Sequence, residues 1–383
     1  MISQQIKKQN KKMPTHKSKS LAARPCNHRF AAKHMLFLPT LIRTLWIMID
    51  KGMIRQTIIT IGLILITSTV FGQSKESYDY AFSEIHKMLK GDTPLDFKKA
   101  VFLTENAFYS NNLDYNEFCQ QIDDIEIQLN QFMRDKNVVN HPMGKHFAIF
   151  SYMMEPSKYN GNIKLVYDFE DLTGQKDWTK MFITKLLNTK TGNCHSLPYL
   201  YKILAEEQKA EAYLALGPNH LYIKHKDDKG QWVNVELTNG TFPRDGWIIS
   251  SLSITTDAIK AETYMEPLSL KESVALCLYD LALGYQFQFG HDDFGLQCCD
   301  TLLSYFPNCI YAYMVKSEVL SEKRKSLLLA NNNQRNPEIS EIEKTITGIY
   351  DHIDEMGYKD MPKEQYEQWV KDAEAERLNQ QQK

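Results

Sequence analysis

The stretch that decides the fold runs from Thr191 to Gly240: TGNCHSLPYLYKILAEEQKAEAYLALGPNHLYIKHKDDKGQWVNVELTNG. Cys194 stands just ahead of a run with helical period, in which Leu197, Tyr201 and Leu204 follow it at steps of three and four. Pro198 is tolerated in a first helical turn, and Gly192 and Asn193 suit the tight approach to a helix start. A thiol at a helix N-terminus feels the positive end of the helix dipole, and a nearby imidazolium adds to that. Both favour the nucleophilic thiolate.

Two alternating runs follow. His220 to His225 puts His220, Tyr222 and Lys224 on one face, and Trp232 to Leu237 puts Trp232, Asn234 and Glu236 on one face. A shorter strand, Leu214 to Gly217, precedes them and ends in a Gly-Pro-Asn turn. The connection through Asp227, Asp228, Lys229 and Gly230 suits a three-residue hairpin closed by a left-handed glycine. With the loop at 227–229, His220 pairs with Glu236 and Tyr222 with Asn234, keeping polar against polar. A thiol nucleophile needs a base in hydrogen-bond reach, and the base needs a third group to hold it. Cys194, His220 and Glu236 supply these three.

These residues carry a resemblance. Gly192-Asn193-Cys194, Asn219-His220 and the strand from Trp232 to Glu236 resemble the core of the transglutaminase-like superfamily, which is papain-like in arrangement. The resemblance covers roughly 80 residues, from Asp168 to Gly246. It implies an α+β fold in which the cysteine opens a helix packed on an antiparallel sheet, with histidine and acid on adjacent strands. The acid is most often aspartate in that family; here it is Glu236. The resemblance also implies acyl transfer on a peptide or protein substrate without a cofactor. It places Gln175, Trp178 and Asn193 in the wall or oxyanion region, although the Cys194 N–H at a helix start is the better donor.

The 383 residues suggest more than one domain. Residues 1–52 hold eleven Lys and Arg against the single acid Asp50 and read as an upstream basic extension, not a fold. From Met53 a basic start, an apolar run at Ile58 to Val70 and a small-residue exit at Gly72 form the pattern of a signal peptide over 53–72. The expected protein is therefore exported and keeps no stable membrane span after cleavage. Without residues 1–73 the chain has 33 Lys plus Arg against 46 Asp plus Glu, a formal charge of −13. That balance argues against nucleic acid as a partner.

Residues 73–160 read as helical. Tyr80, Ile85, Met88 and Leu89 are expected on one inward face, and Phe118, Ile122, Ile125 and Leu129 on another. His146 to Met154 fits helix or strand. Residues 161–267 make the core, with a helix expected over Trp178 to Leu187 and a strand over Trp247 to Ile254. Residues 268–383 read as helices, and the break at Phe306-Pro307-Asn308 followed by Ala312 and Tyr313 resembles tetratricopeptide repeats. That region is the expected surface for a protein partner. Cys298 or Cys299 paired with Cys309 is open as a disulfide, as are free buried thiols. Cys194, His195, His220 and His225 are zinc ligands by type, but the spacing matches no zinc pattern, so no metal is expected. Asn239-Gly240-Thr241 is a glycosylation sequon. The rival to an enzyme is an inactive scaffold of the same fold that binds a protein through its helices.

Overall fold

The computed structural model describes residues 74–171 and 174–359, with isolated positions from 362 to 378. The expected leader over 53–72 and the basic stretch before it lie outside the described residues. Residues Ser74–Lys383 belong to one compact unit of mixed helix and strand, broadly α+β. The boundaries expected at 160/161 and 267/268 fall inside that unit.

Four helices come first: α1 (Lys75–Lys90), α2 (Phe97–Phe108), α3 (Tyr115–Asp135) and α4 (Gly144–Met154). Their starts are written locally. Asp96 caps α2 by accepting from Lys99 N, and Asp114 caps α3 through Asn116 N. The expected inward face of α1 holds for Ile85, Met88 and Leu89. Tyr80 is instead 51% exposed, and Tyr78 takes the core position. The reason is phase: Tyr78 and Phe82 lie on the Ile85 stripe, a turn apart, whereas Tyr80 does not. The ambiguous run before Met154 is helical.

The strands are short. β1 (Val166–Tyr167) pairs in parallel with β2 (Thr191–Gly192), and α5 (Ile183–Thr189) lies between them in sequence. Helix α6 (Ser196–Glu207) leads to an antiparallel sheet of β3 (Tyr213–Gly217), β4 (His220–Lys226) and β5 (Trp232–Val235), in that order. Leu197, Leu200, Tyr201 and Leu204 of α6 are buried, and the helix packs against β3 and β4.

Three local expectations are corrected. The hairpin register is shifted: Lys224 faces Asn234 and Lys226 faces Trp232, so Tyr222 does not face Asn234 and His220 does not face Glu236. The three-residue loop exists but spans 228–230, with Gly230 at φ 77 and Asp227 N bonded to Gln231 O. Asp227 decides the shift, since its carboxylate caps Lys229 N and Gln231 N and so draws Asp227 out of the loop into the last pair.

The expected helix from Trp178 to Leu187 is divided. A 3-10 turn (Trp178–Met181) ends at Phe182, which is extended, and α5 starts afresh. Glu105 of α2 forces the break by accepting from Ile183 N at 2.6 Å and Thr184 N at 2.9 Å. A distant carboxylate caps the helix, which no local pattern reveals. Trp178, Phe182 and Leu186 are nevertheless all buried.

The strand expected at Trp247 to Ile254 is largely helix α7 (Asp245–Ser251). Its β-prone residues are overridden by context: Ile248 is buried while Trp247 stays 49% exposed. Helix α8 (Thr256–Lys260) follows. The segment after it runs along β3, with Met265 N and Leu268 N donating to Leu216 O and Leu214 O.

The remaining helices are α9 (Leu270–Phe289), α10 (Asp293–Tyr305), α11 (Ile310–Ala330) and α12 (Pro337–Glu355), each packed on the next. A capping box at Ser269 and Glu272 starts α9. This helix packs on α1 and α2 as well as on α10, which ties the C-terminal helices into the N-terminal ones. No helix among the described residues is long and apolar enough to cross a membrane.

Candidate active site

The Cys194 turn is braced from behind and capped from within. Asp168 N donates to Gly192 O at 2.7 Å, and Val166 N to Lys190 O at 2.9 Å, so β1 fixes the strand leading to the thiol. A Cβ on Gly192 would lie 2.7 Å from Ser196 Oγ and 2.9 Å from Leu186 Cδ1, so any larger residue would have to push these side chains aside. Asn193 is fully buried. Its Oδ1 accepts from His195 N at 3.0 Å and Ser196 N at 3.1 Å, and its Nδ2 points at Met181 Sδ at 2.9 Å. Leu197 N donates to Asn193 O, so helical bonding starts here and Cys194 sits in the first turn. Both ends of the Asn193 amide are committed to this cap.

His220 is carried to the thiol by the tight connection between β3 and β4. Gly217 pairs with His220, and Asn219 turns the chain at φ 54, a conformation asparagine tolerates. His220 Nε2 meets Glu236 Oε2 at 2.6 Å, and Glu236 Oε1 accepts from Thr238 N at 2.8 Å. The other ring nitrogen of His220 is left free of the carboxylate, and the imidazole lies near enough to Cys194 for the two to shift each other's proton affinity. The carboxylate is 5% exposed. Glu236 therefore holds His220 by a hydrogen bond, and His220 faces the Cys194 thiol and acts on its charge.

Each member changes the next one's proton affinity. Burial opposes charge on Cys194, but the hydrogen bond and charge of His220, together with Tyr167, outweigh it and hold the thiol below its ordinary value. Burial also opposes charge on His220, yet the Glu236 carboxylate and the thiol raise it to about 10. Glu236, despite burial, is held below the usual carboxylate range by His220 and Thr238. The pattern is that of a thiolate–imidazolium pair. Cys277, Cys298, Cys299 and Cys309 are free and buried, and burial pushes all four thiols up. Cys194 moves the other way.

Two tyrosines belong to the site that the sequence did not single out. Tyr167 of β1, opposite Gly192, brings its hydroxyl beside Cys194, where it helps to lower the thiol's proton affinity. Tyr311 of α11 donates to Gly217 O beside His220. The short apolar run Leu165-Val166-Tyr167 is too brief to show a strand period, and Tyr311 arrives from a helix 94 residues beyond Gly217. Neither had a local signal.

The remaining expected residues lie apart from these groups. Gln175 is exposed, with its N–H on Asp171 Oδ1. Trp178 is buried with its indole edge toward Gly284 of α9. Neither hydrogen-bonds Cys194 or His220 among the described residues. His225 stacks on His146 of α4 with centroids 4.0 Å apart, away from the thiol, and His195 turns toward α9. No group of three or more His, Cys, Asp or Glu among the described residues is arranged to hold a metal ion.

Comparison with protein-family models, with curated proteins and with solved structures finds no match.

Proposed function

We propose that this chain is an exported, transglutaminase-like thiol enzyme of papain-like arrangement that hydrolyses an amide bond in a peptide or protein. The observation that carries the reading is the buried His220–Glu236 pair facing Cys194, with that thiol lowered while the buried others are raised. Structural cysteines have no use for such a partner.

In the reaction the Cys194 thiolate adds to the carbonyl carbon, and the C=O π electrons move to oxygen. The oxygen takes the Cys194 N–H, and the neighbouring Tyr167 hydroxyl donates to it as well. His220 gives its proton to the amide nitrogen, the C–N bond breaks, and the amine leaves a thioester on Cys194. Water then adds to the thioester carbonyl while His220 takes its proton. The C–S bond breaks, the carboxylic acid leaves, and the thiolate–imidazolium pair is restored. Glu236 keeps the imidazole oriented throughout. The C-terminal helices, with their tetratricopeptide-like Pro-Asn break, are the proposed surface for a protein partner.

The test is the pH profile of Cys194 alkylation by iodoacetamide in the folded protein. A midpoint well below the ~8.5 of a free thiol supports the reading. A midpoint at that ordinary value, unchanged in His220→Ala, sinks it and leaves an inactive scaffold.

A further inference from the structure

A second histidine follows the thiol in sequence and turns its ring toward α9. His195 follows Cys194 directly, and its side chain is 16% exposed. Both of its ring nitrogens have partners. Nδ1 lies 3.0 Å from the Met181 carbonyl oxygen, and Nε2 lies 2.9 Å from Asp280 Oδ1 on α9. A carbonyl oxygen only accepts, so Nδ1 carries a proton. Asp280 also accepts from the Tyr199 hydroxyl on Oδ2 at 2.8 Å. Burial opposes charge on His195, but the charge and hydrogen bond of Asp280 outweigh it and hold the imidazole above its ordinary value, so Nε2 is the site of the second proton.

We propose that His195 is a permanent imidazolium, fixed by Asp280, and that it acts as a positioning residue that stabilises the Cys194 thiolate beside it. The inference rests on the reading of Cys194 as a thiolate nucleophile. His195 contributes fixed charge and does not transfer a proton, because both its protons are held by acceptors other than the substrate. The groups facing it are Asp280 on α9, the thiol itself and the Glu105 carboxyl on α2, which burial raises to about 7, while Tyr199 and Cys277 are uncharged neighbours. The arrangement also explains why α9 belongs to the catalytic body. Its carboxylate collects His195 and Tyr199, one helical turn apart on the nucleophile helix.

Asp280→Asn tests this in the full chain. The asparagine oxygen still accepts from Tyr199, and its amide can donate to an unprotonated Nε2, so packing and hydrogen-bond number are kept while the charge is lost. Two readouts are taken. Histidine ring nitrogen-15 spectra at pH 7, with His195 assigned by its loss in His195→Gln, should show two protonated nitrogens in the wild type and one in Asp280→Asn. The alkylation midpoint of Cys194 should rise by about half to one pH unit in Asp280→Asn. A wild-type His195 with one protonated nitrogen overturns the inference without any variant. So does an unmoved midpoint in a folded Asp280→Asn whose His195 has become neutral. If the wild-type thiol itself titrates as a free cysteine, the reading of the active site fails, and the nitrogen spectra still report whether His195 is charged.

Discussion

Glu236 reaches His220 along a diagonal. The register of β4 and β5 sets Ile223 against Val235, and continuing it by one residue sets Glu236 beside Tyr222, so His220 lies two residues farther along β4. The contact is still 2.6 Å. Diagonal neighbours on one face are about 7–8 Å apart at the backbone, and only a longer side chain spans that gap. The length of the glutamate side chain is what this register requires.

The diagonal makes Glu236→Asp a sharper test than Glu236→Gln. Shortening by one methylene keeps the charge and loses the contact. Both variants should raise the Cys194 alkylation midpoint and lower amide turnover by at least tenfold at pH 7. A Glu236→Asp enzyme with wild-type turnover would mean that β5 can slide to the directly opposed register.

Tyr167→Phe removes the hydroxyl beside Cys194 and keeps the buried aromatic ring. Amide turnover should fall by roughly 100- to 1000-fold, the range for losing one oxyanion donor. Cys194 alkylation should remain selective, because His220 still pairs with the thiol. Single-turnover acylation rates check this, with thermal melting to show that the fold is kept.

Acid should destabilise the protein through a buried histidine pair remote from the thiol. His146 and His225 stack at 4.0 Å, with Tyr201 bonded to His146 and the charges of Lys145 and Asp227 nearby. Burial lowers both, His146 to about 3. A folded value below the unfolded ~6.5 means that the unfolded chain takes up protons first. Stability should therefore fall as pH drops through ~6.5 and level off near pH 3 as His146 protonates in the folded state too. His146→Phe should flatten that slope in melting temperature against pH, and a slope identical to wild type would place the acid lability elsewhere.

Glu105→Ala should cost about 2 kcal/mol or more, since it strands the Ile183 and Thr184 N–H groups at the start of α5. Urea unfolding measures it. The loss should extend to thiol reactivity, because α5 ends at the strand that leads into Cys194.

Truncation before Leu268 should leave a chain without a cooperative melt. Leu268 N bonds to β3, Asp280 holds His195 and Tyr199, and Tyr311 holds the turn before His220. A fragment with native circular dichroism and a sharp melt would show that these contacts are dispensable for folding.

The residue types and their order were legible in the sequence. Helical period placed the apolar face of α6 behind Cys194, period-two alternation placed His220 and Glu236 on one face, and Asp227 with Gly230 announced the turn. These are local signals, carried by neighbouring side chains and backbone preference. The tertiary structure decided what depends on distant partners. Glu105 cut the expected helix at Phe182 from across the chain, and the packing of Ile248 turned a β-prone run into α7. The register that made Glu236 work diagonally turned on the carboxylate of Asp227. Tyr167, Asp280 and Tyr311 reached the site from elements whose sequences carry no mark of it, because a side chain's chemistry is set by what folding brings beside it.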